Sequence, residues 1–222
     1  MKVVIEYDKE VIVKLLLNKS DYPLVKKCFN LFISSKQVDV CYILDCRNIP
    51  MDIHCRILRI YLIHILACNG IFAFHSSGFM YQNTPYIFMG EASSGKTSLL
   101  LSGYRNNCKL LGDEVILIKE VNSQFVLLPF SSCIYLENDV MPIPPENFTR
   151  KAPLKFIIFI ERGKKEVFHK LPSFKSRLFL SKYILWAVNE GIKKQQFNFI
   201  NKLSKIPSYR WVIKEDSLKD FT

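Results

Sequence analysis

The chain has 222 residues, is 49% hydrophobic and carries a formal net charge of +11, which suits one globular unit with an α/β core, with room for a small appended portion. Seven cysteines occur singly, at positions 28, 41, 46, 55, 68, 108 and 133; an odd number without a C-x-x-C pair excludes a disulfide framework and a zinc site and points to reduced thiols in the cytoplasm. Such positive charge can attract nucleic acid, anionic membrane or an acidic peptide, but no arginine-rich run or nucleic-acid motif accompanies it, so a lysine-rich solvated surface is the simpler account, and neither nucleic acid nor membrane is expected as a partner.

In chain order, Val3–Tyr7 and Val11–Leu16 read as strands, Val25–Ile33 as a helix and Val38–Leu44 as a strand. These make a small N-terminal α+β portion, residues 1–48, packed on a core unit of residues 49–222. Val11–Leu17 is not a secretory signal, because acidic residues precede it and Lys14 interrupts it. Pro50-Met51-Asp52 can open a helix that ends near Asn69-Gly70. Its apolar run from Ile53 to Ala67 is broken by Arg56, Arg59 and His64 and is too short for the ~20 residues of a membrane span. Ile71–Phe74 reads as a strand, His75-Ser76-Ser77-Gly78 follows it, Phe79–Gln82 is a second strand, and Asn83-Thr84-Pro85 is a turn.

Residues 90–97 read Gly-Glu-Ala-Ser-Ser-Gly-Lys-Thr, a complete G-x-x-x-x-G-K-[ST] phosphate-binding loop. The apolar Tyr86-Ile87-Phe88-Met89 precedes it as a strand and Ser98-Leu99-Leu100-Leu101 continues it as a helix, the context the motif requires. Successive backbone N–H groups of such a loop, with the helix N-terminus behind them, cradle a polyphosphate. The nucleotide-binding set is therefore Gly90, Glu91, Ala92, Ser93, Ser94, Gly95, Lys96, Thr97 and Ser98. Lys96 should reach the outer phosphates and the Thr97 hydroxyl should meet Mg²⁺.

After the loop helix, Lys109-Leu110-Leu111-Gly112 leads into Asp113-Glu114. Two adjacent acids allow a division of labour, one facing a metal and one facing an incoming hydroxyl. Val115–Ile118 and Phe125–Leu128 read as a strand pair around Asn122-Ser123. The proline-marked stretch from about 137 to 153 reads as an irregular loop long enough to be functional. Phe156–Ile160 is a buried strand, and Leu178–Val188 and Phe197–Leu203 are closing helices.

The spacing of these groups resembles the catalytic domain of the HPr kinase/phosphorylase family, which shares a phosphate-loop fold with phosphoenolpyruvate carboxykinases. His75 lies 15 residues before Gly90, and Asp113 lies 17 after Lys96. The run from Gly103 through Lys109-Leu110-Leu111 to Asp113-Glu114 is similar to the family's glycine, basic residue, apolar pair and acidic pair. The resemblance covers about residues 70–120. It implies a mixed sheet with flanking helices, ATP (or another nucleoside triphosphate) and Mg²⁺ as cofactors, and transfer of the γ-phosphate to a serine or threonine hydroxyl. Asp113 would take the hydroxyl proton, Glu114 would help Thr97 and Asp113 hold Mg²⁺, and His75 would support the acid/base environment beside the phosphates. The chain departs from the family in having Glu114 where aspartate is expected, in lacking the later glycine-rich signature, and in an N-terminal portion too short for the usual regulatory domain. In size it is more similar to the short branch that phosphorylates ribosomally made precursor peptides, including those of lasso peptides.

The expected acceptor is thus a peptide or small protein, and a homo-oligomer is left open. Arg162 and Arg150, in the basic, proline-containing C-terminal third, are the substrate-binding candidates, since a guanidinium suits a carboxylate or a phosphorylated product. Two alternatives stand beside this reading. One is a small-molecule alcohol kinase, favoured by a closed apolar pocket beside Asp113. The other is a nucleotide-dependent switch or nucleic-acid-stimulated ATPase, with the net charge as its footprint.

Overall fold

The computed structural model describes residues 1–8, 11–34, 42–48, 51–52 and 55–214. The N-terminal portion pairs β1 (Lys2–Asp8) antiparallel with β2 (Val11–Leu16), and β2 parallel with β3 (Tyr42–Asp45). Its helix α1 (Tyr22–Phe29) starts three residues earlier than the sequence indicates, with Pro23 in its first turn, and passes into a 3₁₀ turn at Asn30–Phe32. Proline belongs in that first turn, where its missing N–H is not needed. Residues 38–41, part of the expected third strand, lie outside the described residues. So does Pro50, one of the three residues expected to open the next helix.

That helix, α2, is Arg56–Cys68, with Leu58, Leu62 and Leu66 fully buried at intervals of four. It leads into β4, a single strand from Ile71 to Tyr81 where two short strands were expected. His75-Ser76-Ser77-Gly78 is therefore strand and not turn. A tight turn at Gln82-Asn83, both with positive φ, returns the chain as β5 (Thr84–Met89). The left-handed pair fits a two-residue hairpin, and Thr84-Pro85, expected in the turn, begins the strand instead. Then come α3 (Lys96–Arg105), β6 (Lys109–Gly112), β7 (Val115–Val121) and β8 (Gln124–Pro129).

The stretch expected as an irregular loop is pinned to the body. β9 (Cys133–Tyr135) pairs with β10 (Val140–Pro142), and β11 (Ala152–Pro153) pairs with β8. Val140, Ile143, Phe148 and Ala152 are buried, so this segment is largely packing. β12 (Ile157–Gly163) is followed by β13 (Val167–Leu171), a strand the sequence reading did not contain. Helices α4 (Ser173–Tyr183) and α5 (Glu190–Leu203) begin earlier than expected, and β14 (Ser208–Lys214) was also unforeseen.

Among the described residues these strands form a mixed nine-stranded sheet in the order β11-β8-β7-β4-β5-β12-β14-β13, with β6 also paired to β4. The fold is thus α/β, a mixed sheet with helices on both faces. Alternation builds the two layers: Ile71 and Ala73 of β4 with Val115 and Leu117 of β7 face α2, α3 and the N-terminal portion. Phe72, Phe74, Ile116 and Ile118 face α4 and α5. Both faces are covered, so these strands read as unbroken apolar runs. The first core layer runs without a break from Ile5 and Phe29 to Phe130 and Ile134. Tyr7 reinforces that seam by donating its hydroxyl to the Phe130 carbonyl (3.1 Å). No helix among the described residues is long and apolar enough to cross a membrane.

Candidate active site

The first wall of the site is local. β5 ends at Met89, the loop turns at residues 90–95, and α3 starts at Lys96. Gly95 turns the chain with φ +101°, a conformation that favours glycine. A Cβ on Gly90 would lie 2.5 Å from the Ile160 carbonyl oxygen and 2.6 Å from Ser94 Oγ, so only glycine lets β12 approach this closely. Ala92 and Ser93 are exposed and Thr97 and Ser98 half-buried. The first-turn N–H groups of α3 have no intrahelical acceptor and carry the positive end of its dipole.

Lys96 is 6% exposed and folds back over the loop, donating to the Gly90 and Glu91 carbonyls at 2.8 Å each. An ammonium has three protons, so one is left for another acceptor. Burial holds its pKa below the ordinary lysine value, against the opposing pull of Asp113, Glu114 and Glu91. Ser94 Oγ is buried with no hydrogen-bond partner among the described residues. An unpartnered hydroxyl and a desolvated ammonium in a turn of amides form a donor set that suits phosphate oxygens.

The second wall is assembled by strand register. β6 and β7 both pair with the same edge of β4, Gly112 opposite Gly78 and Val115 opposite His75. The Asp113-Glu114 break between them therefore faces Ser76 and Ser77. Ser77 donates its hydroxyl to Asp113 Oδ1 (2.6 Å), and the Tyr135 amide donates to Oδ2 (2.9 Å). Asp113 is 1% exposed. Burial raises its pKa above the usual aspartate value, and the Ser77 and Tyr135 hydrogen bonds oppose that rise.

Glu114 takes a left-handed backbone (φ +61°) that ends the break and restarts the ladder. Its carbonyl accepts from the Ser76 amide and from His75 Nδ1, each at 3.1 Å. A carbonyl only accepts, so Nδ1 carries the proton and Nε2 is the bare nitrogen of a neutral ring. Burial, then the Lys96 charge, hold the His75 pKa below the ordinary value. The Glu114 carboxylate is more open, with its side chain 43% exposed, and pairs with Arg59 of α2 at 3.3 Å. The Arg59 guanidinium lies 4.4 Å from the Tyr135 ring centroid, a cation–π contact that fixes it.

The fold thus brings His75, Lys96, Asp113 and Glu114 into one charged cluster. Ser77 and Arg59 complete it, and sequence reasoning missed both. Arg59 was seen only as an interruption of an apolar helix, and Ser77 as part of a presumed turn. The two arginine candidates sit elsewhere. Arg150 donates to the Leu31 carbonyl (3.1 Å) and lines a cavity with Tyr7, at the seam to the N-terminal portion. Arg162 is exposed near the end of β12. Its chain neighbour Glu161 pairs with Arg210 (2.5 Å), and Glu166 accepts from the Trp211 indole (3.0 Å). Glu91 of the loop pairs with Lys182 of α4.

No protein-family model matches the chain, and no curated protein matches it. Among solved structures it is similar to the Hpr(Ser) kinase/phosphatase from Coxiella burnetii, with a TM-score of 0.43 and 14% identity over 67% of this chain and 91% of that one.

Proposed function

We propose that the chain is an ATP-dependent phosphotransferase that places the γ-phosphate on a serine or threonine hydroxyl of a peptide or small protein. The observation that carries this reading is the convergence of a phosphate cradle with a buried, proton-avid carboxylate. Lys96 closes over the loop, and Asp113 bears on it electrostatically from the facing strand break. A loop serving only as a turn has no need of a buried lysine folded over it, nor of a buried aspartate within its electrostatic reach, since burying each charge is costly.

The loop amides and Lys96 hold the phosphates and stabilise the charge that spreads over the transferring group. The acceptor oxygen forms a bond to the γ-phosphorus as the bond to the bridging β–γ oxygen breaks, and ADP leaves. The hydroxyl proton passes to Asp113, whose burial makes its carboxylate take up a proton more readily than an exposed aspartate would. Ser77 and the Tyr135 amide hold the Asp113 carboxyl in one orientation. Neutral His75 keeps a second positive charge away from Lys96. Thr97, Asp113 and Glu114 are the residues that would hold Mg²⁺, and bound Mg²⁺ neutralises phosphate charge. The described residues contain no cluster of three or more histidine, cysteine or acidic side chains able to hold a metal by themselves. Two acids and a hydroxyl therefore fit a metal shared with nucleotide phosphates, the usual situation of Mg²⁺.

The direct test is transfer of γ-³²P from ATP to a panel of serine- and threonine-containing peptides, with and without Mg²⁺. Labelled phosphopeptide is the expected result. Free phosphate released only on adding RNA or DNA would overturn the reading in favour of a nucleic-acid-stimulated ATPase. A small-molecule acceptor has one observation in its favour, a cavity of about 450 Å³ beside Glu114 lined also by Arg56, Arg59 and Glu137. Its lining is charged, two arginines with two glutamates, so such an acceptor would be a polar alcohol and not an apolar one.

A further inference from the structure

Helix α4 buries Ser176, Leu180 and Tyr183 and turns another face outward. On that face Lys175, Leu178, Phe179 and Lys182 line a groove of about 380 Å³ with His169 of β13 and Arg210 of β14. Their spacing of three, four and seven residues puts cation, apolar pair and cation in one line along the helix. Leu178 is 68% exposed and Phe174, one turn before it, 60% exposed, so α4 opens an apolar patch and not a single scattered side chain. Phe179 forms a firm floor, its ring 4.9 Å from that of core Phe159.

Two carboxylates face these groups, and both are already engaged: Glu91 by Lys182 and Glu161 by Arg210. Lys175 makes no ion pair among the described residues, so the groove has cationic capacity to spare. Lys182 ties the same groove to the phosphate loop, because its partner Glu91 is a loop residue. The Lys182 end of the groove therefore adjoins the loop at Glu91.

We infer that this groove docks the acceptor, and that the acceptor carries an acidic segment with a large apolar side chain set to one side of its reacting hydroxyl. This rests on the phosphotransferase reading above and narrows its substrate class. The geometry fixes the spacing. Lys175 and Lys182 are seven residues apart, about 10 Å along a helix, which an extended peptide covers in about three residues. With the further step from Lys182 to the loop, the acidic residue facing Lys175 falls about four to six residues from the hydroxyl.

The test uses the full chain and a fluorescein-labelled synthetic 12-mer with one serine and an Asp-Leu-Asp-Phe block five residues away, against a control with lysine for both aspartates. Fluorescence anisotropy should show at least tenfold tighter binding of the acidic peptide, weakening as salt is raised. Lys175→Glu and Leu178→Asp, both on an exposed surface, should each cut that binding about tenfold. They should raise KM for the peptide with kcat within about twofold, leaving ATP binding and the melting temperature unchanged. Equal binding of the two peptides would overturn the inference. So would tighter binding of a U12 oligonucleotide lost in the same variants. Groove-dependent peptide binding without any phosphate transfer would sink the phosphotransferase reading and leave the docking groove standing. Peptide phosphorylation with a KM unmoved by either substitution would do the reverse.

Discussion

The phosphate-loop wall and the acid wall meet at Lys96 by different routes. The loop wall is contiguous: eight residues, from the end of one strand into the first turn of one helix, contain the turn, the amides and the lysine. The acid wall is built from β4, the β6–β7 break, β9 and α2, and its parts are up to 76 residues apart in the chain (Arg59 to Tyr135). The loop wall depends on local backbone geometry, the acid wall on strand register. A one-residue slip of β4 against β7 would turn Ser77 and His75 to the wrong faces of the sheet. The loop wall should therefore lose function without losing fold, whereas in the acid wall the side chains that hold the carboxyl in place across the sheet, such as Ser77, should couple the two.

The largest effect is expected from the loop. Lys96→Ala removes the ammonium proposed to hold the phosphates and should abolish measurable transfer, a loss of about 10³-fold or more. Nucleotide affinity, read by calorimetry, should fall with it. The buried ammonium is costly in the resting protein, so the melting temperature should hold or rise. A variant that melts much lower would break the contrast by giving the lysine a structural role.

Next is Asp113→Asn, expected to lower transfer by about 10²–10⁴-fold while ATP binding is kept. The amide fits the site: its oxygen can accept from the Tyr135 amide and its nitrogen can donate to Ser77 Oγ. The folded-state pKa of Asp113 is raised, so its contribution is fully present below the unfolded value near 3.8 and is lost as pH rises through the folded value. At neutral pH the ionised carboxylate thus costs stability, and the asparagine variant should melt no lower than the parent. Glu114→Gln sharpens the assignment, because Glu114 is the more exposed acid. If it cost more transfer than Asp113→Asn, the proton acceptor would be Glu114.

The difference between the walls also explains what could be read in advance. The loop, its strand and its helix were legible because glycine, lysine and threonine at fixed spacing mean one backbone path. Asp113 and Glu114 were legible as chemistry, but their partners were not. Ser77 becomes a ligand of Asp113 only through the pairing of Gly78 with Gly112, and Arg59 only through the packing of α2. β13 and β14 are hard to read because charged or polar residues interrupt them, as in Tyr209-Arg210-Trp211; β13 is the edge strand and β14 lies next to it, where apolar alternation weakens. β4 was divided in two because His-Ser-Ser-Gly has the composition of a turn. The sheet overrides that preference by accepting small residues where β5, β6 and β7 crowd it.

A smaller effect is expected from Ser77→Ala. Ser77 donates to the Asp113 carboxyl and is itself fully buried, so in the proposed reaction it positions that group, and transfer at saturating pH should fall only about tenfold. Its hydrogen bond lowers the Asp113 pKa, so removing it should move the acidic limb of the pH–rate profile to higher pH. Loss of one buried hydrogen bond should also cost about 1 kcal/mol of stability by denaturant titration. A rate loss with an unmoved pH profile would mean that the serine acts on packing and not on the carboxylate.

The smallest effect concerns His75. Its folded-state pKa lies below the ordinary 6.5 because of burial and Lys96. The unfolded chain therefore binds a proton more readily, and stability supplied by the neutral ring is present above about pH 6.5 and lost as pH falls toward the folded value. His75→Gln can keep a donor near the Glu114 carbonyl while removing the titration. The melting temperatures of parent and variant should run parallel above pH 7 and converge or cross below pH 6, by about a degree or two. Proton NMR of the ring should place its midpoint below 6.5, and Lys96→Ala should shift it upward. A midpoint unmoved by that substitution would mean that the two walls are not electrostatically joined at Lys96, and His75 would then belong to the sheet and not to the site.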